Sequence, residues 1–242
     1  MTILAAHNLS KRFGGVQALT GVSFHVEPGE IVGVVGPNGA GKTTLFDIIA
    51  GLQPPTAGSV EYDGRRITGL PAHRIARLGL ARTFQIPRLF VQLDVLHNVL
   101  VGAYTSGLGR RQAHEVSMES LARVGLAERA TVPAERLNLA DRRRLEIARV
   151  LALRPRVVLL DEAMSGLNDA ELGRMMELVR GLNRDGTTFV LVEHVMKVVM
   201  SLCARVVVID HGAVLVEDVP AVVTRDRRVI EAYLGQESDA AS

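Results

Sequence analysis

The chain has 242 residues, 48% of them hydrophobic, with 28 Lys+Arg against 26 Asp+Glu for a net charge of +2; this composition supports a folded core and excludes a disordered chain. The pI of about 9.0 reflects arginine charge that persists at high pH, and the arginines stand mostly apart, which argues against a nucleic-acid partner. Cys203 is the only cysteine, so no internal disulfide can form, and no apolar run reaches the ~18 residues that cross a bilayer, so any membrane role is expected to come through other chains.

In chain order, Thr2 to Glu30 alternates in short stretches such as Val22-Ser23-Phe24-His25-Val26 and closes at Pro28-Gly29, which predicts antiparallel strands. Ile31-Val32-Gly33-Val34-Val35 is a continuous apolar run, suited to a strand buried on both faces of a parallel sheet. Thr44 to Leu52 reads as a helix, with Leu45, Ile48, Ile49 and Leu52 at helical spacing and Gly51 near its stop.

From about Pro71 to Arg154 the pattern is mainly helical, an insertion between strands of one sheet; within it Arg142, Arg143 and Arg144 read as a solvated or partner-facing helix surface. Val157-Val158-Leu159-Leu160 is the next buried strand, and Leu172, Met175, Met176 and Val179 form the core face of a helix. Thr187 to Val192, Arg205 to Ile209 and Val214 to Val216 predict further strands, and Gln236 to Ser242 a frayed tail. The fold expected is α/β, with an N-terminal antiparallel β subdomain and an inserted α-helical subdomain at about 86–154, residues 1–235 forming one domain.

Gly36-Pro37-Asn38-Gly39-Ala40-Gly41-Lys42-Thr43 satisfies G-x-x-x-x-G-K-[ST] between that buried strand and helix. The glycines let successive N–H groups turn in around a phosphate, and the following helix, through Thr44, points its positive end at the same anion. Lys42 is expected to reach the β- and γ-phosphates of ATP and Thr43 to ligate Mg²⁺. Asp161 ends the second buried strand, where a carboxylate can hold Mg²⁺, and Glu162 follows it, placed to activate the attacking water. The guanine-reading N-K-x-D is absent, which disfavours a GTPase, and a small kinase would not need so large an insertion.

With these motifs in order, nearly the whole chain resembles the ABC-type ATPases, which implies an α/β fold with a P-loop NTPase (RecA-like) core. The resemblance implies that Phe13 stacks on adenine, that Gln85 in Arg82-Thr83-Phe84-Gln85 contacts Mg²⁺ and the coupling region, and that His194 is the switch histidine on the γ-phosphate. Ala81 to Gln85, Arg143 to Arg149, Gly166-Leu167-Asn168 and Val229 to Gly235 look most like the ATP-binding subunits of branched-chain amino acid importers, of the LivG type.

The implied partners are a second ABC ATPase subunit, in a heterodimer or homodimer, integral membrane permease subunits docking on Ile86 to Phe90, and indirectly a solute-binding protein, with the chain peripheral at the cytoplasmic face of the inner membrane. Lipopolysaccharide exporters, soluble non-transport ABC proteins and weakly hydrolysing regulatory subunits are the alternatives.

One motif departs from the family. The signature, usually near L-S-G-G-Q, aligns with Leu137-Asn138-Leu139-Ala140-Asp141. In a family dimer it covers the partner's ATP. Ala140 adds a methyl and Asp141 a negative charge where phosphate approaches, so the expectation is a weakened signature, which gives asymmetric sites in a heterodimer and impairs both sites in a homodimer.

Overall fold

The structure is a computed structural model that describes residues 1–239, residues 234–239 by backbone alone. Two compact units emerge: Met1–Ala72 together with the chain from Thr188 onward, and His73–Thr187.

In the first unit β1 (Leu4–Phe13) and β2 (Val16–Val26) pair antiparallel, with Leu4 opposite Val26 and Phe13 opposite Val16. Val22, Phe24 and Val26 are buried and the residues between them are exposed, the period-two pattern of a sheet with one solvated face. Every residue of β3 (Ile31–Val35) is buried. The next helix, α1 (Lys42–Ile49), starts two residues before the expected Thr44 and stops short of Leu52, because Gly51 adopts φ 72°. Two strands absent from the sequence reading follow, β4 (Ala57–Tyr62) and β5 (Arg65–Arg66), extending the antiparallel sheet in the order β2-β1-β4-β5.

The second unit contains α2 (Ala72–Arg77), whose first residue is the last of the first unit, then β6 (Leu80–Arg82), α3 (Val95–Thr105), α4 (Arg110–Arg123), α5 (Leu139–Leu151), β7 (Val157–Asp161) and α6 (Asp169–Arg184). Its core is built from Val95, Val99 and Ala103 of α3, Ala113, Val116 and Leu121 of α4, and Leu145 and Ala148 of α5. Gly102 sets the approach of α3 to α5, since a methyl there would lie 2.4 Å from the Arg149 carbonyl oxygen. Strands β6 and β7 are parallel, Leu80 opposite Val157 and Arg82 opposite Leu159. On α6 the predicted face Leu172, Met175, Met176 and Val179 is buried.

The chain returns to the first unit with β8 (Thr188–Val192), α7 (Met196–Leu202), β9 (Arg205–Asp210), β10 (Ala213–Asp218), α8 (Pro220–Val223) and α9 (Arg227–Asp239). Strand β3 lies between β8 and β9 and parallel to both, with β10 antiparallel on β9. The phosphate-loop motif thus leaves the carboxyl end of a strand paired on both edges, where ligands bind in parallel sheets. Of the expected tail, 236–239 lie on α9 and 240–242 lie outside the described residues.

Candidate active site

The first unit supplies a phosphate cradle. Between β3 and α1, Gly36 has φ 154° and Gly41 φ 103°, both in the region that favours glycine. A Cβ on Gly36 would fall 2.0 Å from the Ile209 carbonyl oxygen, so only glycine fits this approach to β9. Pro37 and Ala40 are buried while Asn38 and Gly39 face solvent. The Ala40 carbonyl accepts from Gly212 N–H at 3.1 Å, pinning the loop from the β9–β10 turn. Gly41 gives α1 no side-chain cap, and its first turn holds no acidic residue, which leaves the positive helix end suited to an anion. Thr43 is exposed and Thr44 half-buried at that end.

Lys42 is buried, and its ammonium donates to the Gly36 and Pro37 carbonyls at 2.7 and 2.8 Å, holding a charge across the loop. Phe13, at the end of β1, is 45% exposed, and the Lys11 ammonium lies 4.8 Å from its ring centroid. His194 is exposed two residues beyond β8, after the buried Glu193.

The second unit brings carboxylates and polar groups together. Asp161 is buried at the end of β7, where Oδ2 accepts from Arg82 Nη2 at 2.8 Å and the backbone N–H donates to Thr83 Oγ1 at 3.2 Å. Glu162 has φ 48°, a left-handed conformation unusual for a residue with a side chain, and such strain clusters at functional positions. Its Oε2 accepts from Gln85 Nε2 at 2.7 Å, so two predicted site residues 77 apart in sequence are in contact.

The signature segment corrects two expectations. Asn138 caps α5, its side-chain oxygen accepting from Asp141 N–H at 2.8 Å. Asp141 is 3% exposed and ion-paired with both Arg129 and Arg144, so its charge is compensated inside the unit and is not an uncompensated anion toward a phosphate. Ala140 is buried; Leu139, not Ala140, is the exposed side chain. Of the arginine triplet, Arg143 departs from the expected solvated or partner-facing surface, being buried against the chain at Phe84 and Gln85, while the half-buried Arg142 donates to the Glu135 carbonyl and Arg144 holds Asp141.

Sequence reasoning gave no role to Arg82 as partner of Asp161, although it stands in a quoted motif, nor to Tyr233 in the C-terminal motif. The backbone N–H of Gly36 donates to the Tyr233 hydroxyl, whose pKa burial pushes up despite that bond.

The sequence profile described as ABC transporter matches residues 19–165. BraF of Pseudomonas aeruginosa, described as a high-affinity branched-chain amino acid transport ATP-binding protein, is 40% identical, the match covering 97% of this chain and 98% of BraF. LivG of Escherichia coli, described in the same words, is 39% identical over the same shares. The lipopolysaccharide export ATP-binding protein LptB of Acidithiobacillus ferridurans is 34% identical, with 97% and 98% covered.

Among solved structures, the ADP conformation of MJ1267, an ATP-binding cassette of an ABC transporter, superposes with TM-score 0.89 at 28% identity, covering 97% of this chain and 99% of that one. A dimeric post-hydrolysis state of the cassette MJ0796, bound to ADP and Pi, gives 0.81 at 27% identity, covering 90% and 98%. With the phosphate cradle of one unit and the strand-end carboxylates of the other, these likenesses establish that the chain belongs to the ABC transporter family as one of its ATP-hydrolysing cassettes.

Proposed function

We propose that this chain powers import of branched-chain amino acids, or of a similar small solute, through partner membrane subunits. The observation that carries this reading is the near full-length identity of 39 to 40% with BraF and LivG, higher than the 34% with LptB. On this reading residues 1–235 work as one ATPase domain with its helical insertion at about 86–154. No helix among the described residues is long and apolar enough to cross a membrane; the proposed place, peripheral at the cytoplasmic face of the inner membrane, rests on the likeness to BraF and LivG.

In the first unit the N–H groups of Asn38 to Thr44 and the α1 end receive the phosphates of ATP, and Lys42 exchanges its loop carbonyls for β- and γ-phosphate oxygens. Phe13 offers its ring to adenine and His194 a hydrogen bond to the γ-phosphate. In the second unit Glu162 takes a proton as water oxygen attacks the γ-phosphorus and the bond to the leaving ADP oxygen breaks. Gln85, bonded to Glu162, holds that carboxylate in place.

The side chains that would hold Mg²⁺ are the Thr43 hydroxyl, the Asp161 carboxylate and the Gln85 side-chain carbonyl. All are oxygen donors, which suits a hard cation held also by phosphate oxygens. Mg²⁺, when bound, neutralises charge on the transferring phosphoryl group.

The signature segment, through its exposed Asn138 and Leu139, would face the ATP of a second cassette, in a heterodimer or a homodimer. Within the second unit a groove of about 820 Å³, lined by Leu93, Leu96, Leu100, Val101 and Tyr104 with His97 and Arg110, is open to a cytoplasmic helix of a permease subunit. Ile86, 80% exposed, and Phe90, 48% exposed, offer two further apolar side chains for that contact.

The test is uptake by the transporter reconstituted in vesicles, with ATP on the side carrying this chain and labelled leucine on the other. Leucine is expected to accumulate only with ATP. ATP hydrolysis without uptake of leucine, isoleucine or valine would contradict the assignment, and ATP-driven lipid extraction would favour an LptB-like exporter.

A further inference from the structure

Helix α5 presents Arg143, Glu146 and Arg149 at three-residue intervals, which lines them up along one side of the helix. All three reach one stretch of chain, Phe84 to Arg88, which forms neither helix nor strand. Arg143 Nη1 donates to the Gln85 carbonyl at 2.5 Å and to the Phe84 carbonyl at 3.3 Å. Glu146 Oε1 accepts from Phe84 N–H at 3.1 Å, and its carboxylate also accepts from Arg88 N–H. Arg149 Nη1 donates to the Arg88 carbonyl at 2.5 Å.

The contacts fall on backbone atoms at both ends of the segment, so they fix its path whatever the exposed side chains do. Burial makes the Arg143 and Glu146 contacts hard to exchange for water. Arg143 is 6% exposed and Glu146 1% exposed, and buried charges persist when paired and hydrogen-bonded. Burial pushes the Glu146 carboxyl pKa up and the Arg149 guanidinium pKa down, while each counteracts the shift of the other. Beyond the segment, the side chain of Gln85 ends on Glu162.

We propose that Arg143, Glu146 and Arg149 are positioning residues: a track through which α5, the helix capped by Asn138, sets the place of Gln85 and, through Gln85, of the Glu162 carboxylate. This rests on the roles given above to Gln85 and Glu162. A displacement of the signature end of α5 is passed to the segment by hydrogen bonds to its backbone, so what the signature meets is reported to the chain's own catalytic carboxylate. Arg143 is the central member, because it alone among the three holds Gln85 itself.

A purely structural role for these side chains would cost stability without depending on Gln85. The separating experiment is a double-variant cycle on ATP hydrolysis by the assembled transporter, with Gln85→Ala, Arg143→Met and both together. Arg143→Met should lower kcat roughly 10-fold while KM for MgATP moves less than about 3-fold, the signature of misplacement and not of lost binding. In the Gln85→Ala background the same substitution should add less than about 2-fold.

Full additivity, or an unchanged kcat in Arg143→Met, would overturn the track while leaving Gln85 in its role. An unchanged kcat in Gln85→Ala alone would overturn that role and the track with it. Should Arg143→Met fail to fold, Arg143→Lys carries the same cycle, with a loss of about 3-fold expected in the wild-type background and none beside Gln85→Ala.

Discussion

At φ 48° Glu162 holds a backbone conformation that costs a residue with a side chain on the order of 1–2 kcal/mol, and the hydrogen bond from Gln85 then fixes where its carboxylate lies. Gly36 shows the opposite constraint, a place where no side chain fits. Gly36→Ala sets a methyl 2.0 Å from the Ile209 oxygen, so the loop must shift; ATP affinity measured by equilibrium binding should fall at least ~10-fold. Asp141, buried between Arg129 and Arg144, makes restoring a family-like signature costly. Asp141→Gln leaves two guanidinium groups without their carboxylate, and denaturant melts should show a loss of about 2 kcal/mol. Cys203 is held by burial with its thiol pushed up to about 12 from 9.0. Above pH 9 the unfolded chain gives up this proton first, so wild-type stability should fall relative to Cys203→Ala between pH 9 and 12 and match its trend below pH 9.

Among the elements, those with strong local patterns were legible. The all-apolar β3, the glycine motif and the amphipathic α1 and α6 each carry their signal within a few adjacent residues. β4, β5 and β6 were not, because β4 is half exposed and contains Gly58, β5 has two residues and β6 three; their strand character comes from pairing with distant partners. Helix α6 begins with a complete capping box between Asn168 and Glu171. Asn168→Ala should cost about 1 kcal/mol in thermal or denaturant unfolding. At the α3–α4 groove, Val101→Asp puts a charge on the surface proposed for the permease, and should reduce solute moved per ATP hydrolysed while leaving the fold intact by circular dichroism.

For the whole molecule, the chemistry contiguous in sequence was readable and the chemistry assembled by folding was not. Gly36 to Thr43 and Asp161-Glu162 declare themselves as motifs, whereas Arg82 with Asp161, 79 residues apart, and Glu146 with Phe84, 62 apart, are joined only by the packing of β6 against β7 and of α5 against the chain after β6. Packing also changed the reading of Asp141, through Arg129, 12 residues away, and of Arg143, through Gln85, 58 residues away, since a charge run on a helix says nothing of what that helix rests on. In the proposed mechanism Glu162 acts on water while the phosphate loop acts on ATP. Glu162→Gln removes the proton acceptor and keeps the hydrogen-bonding shape, so it separates the two. In the assembled transporter this variant should bind ATP within about 3-fold of wild type and release phosphate at least ~100-fold more slowly; phosphate release near the wild-type rate would contradict the account.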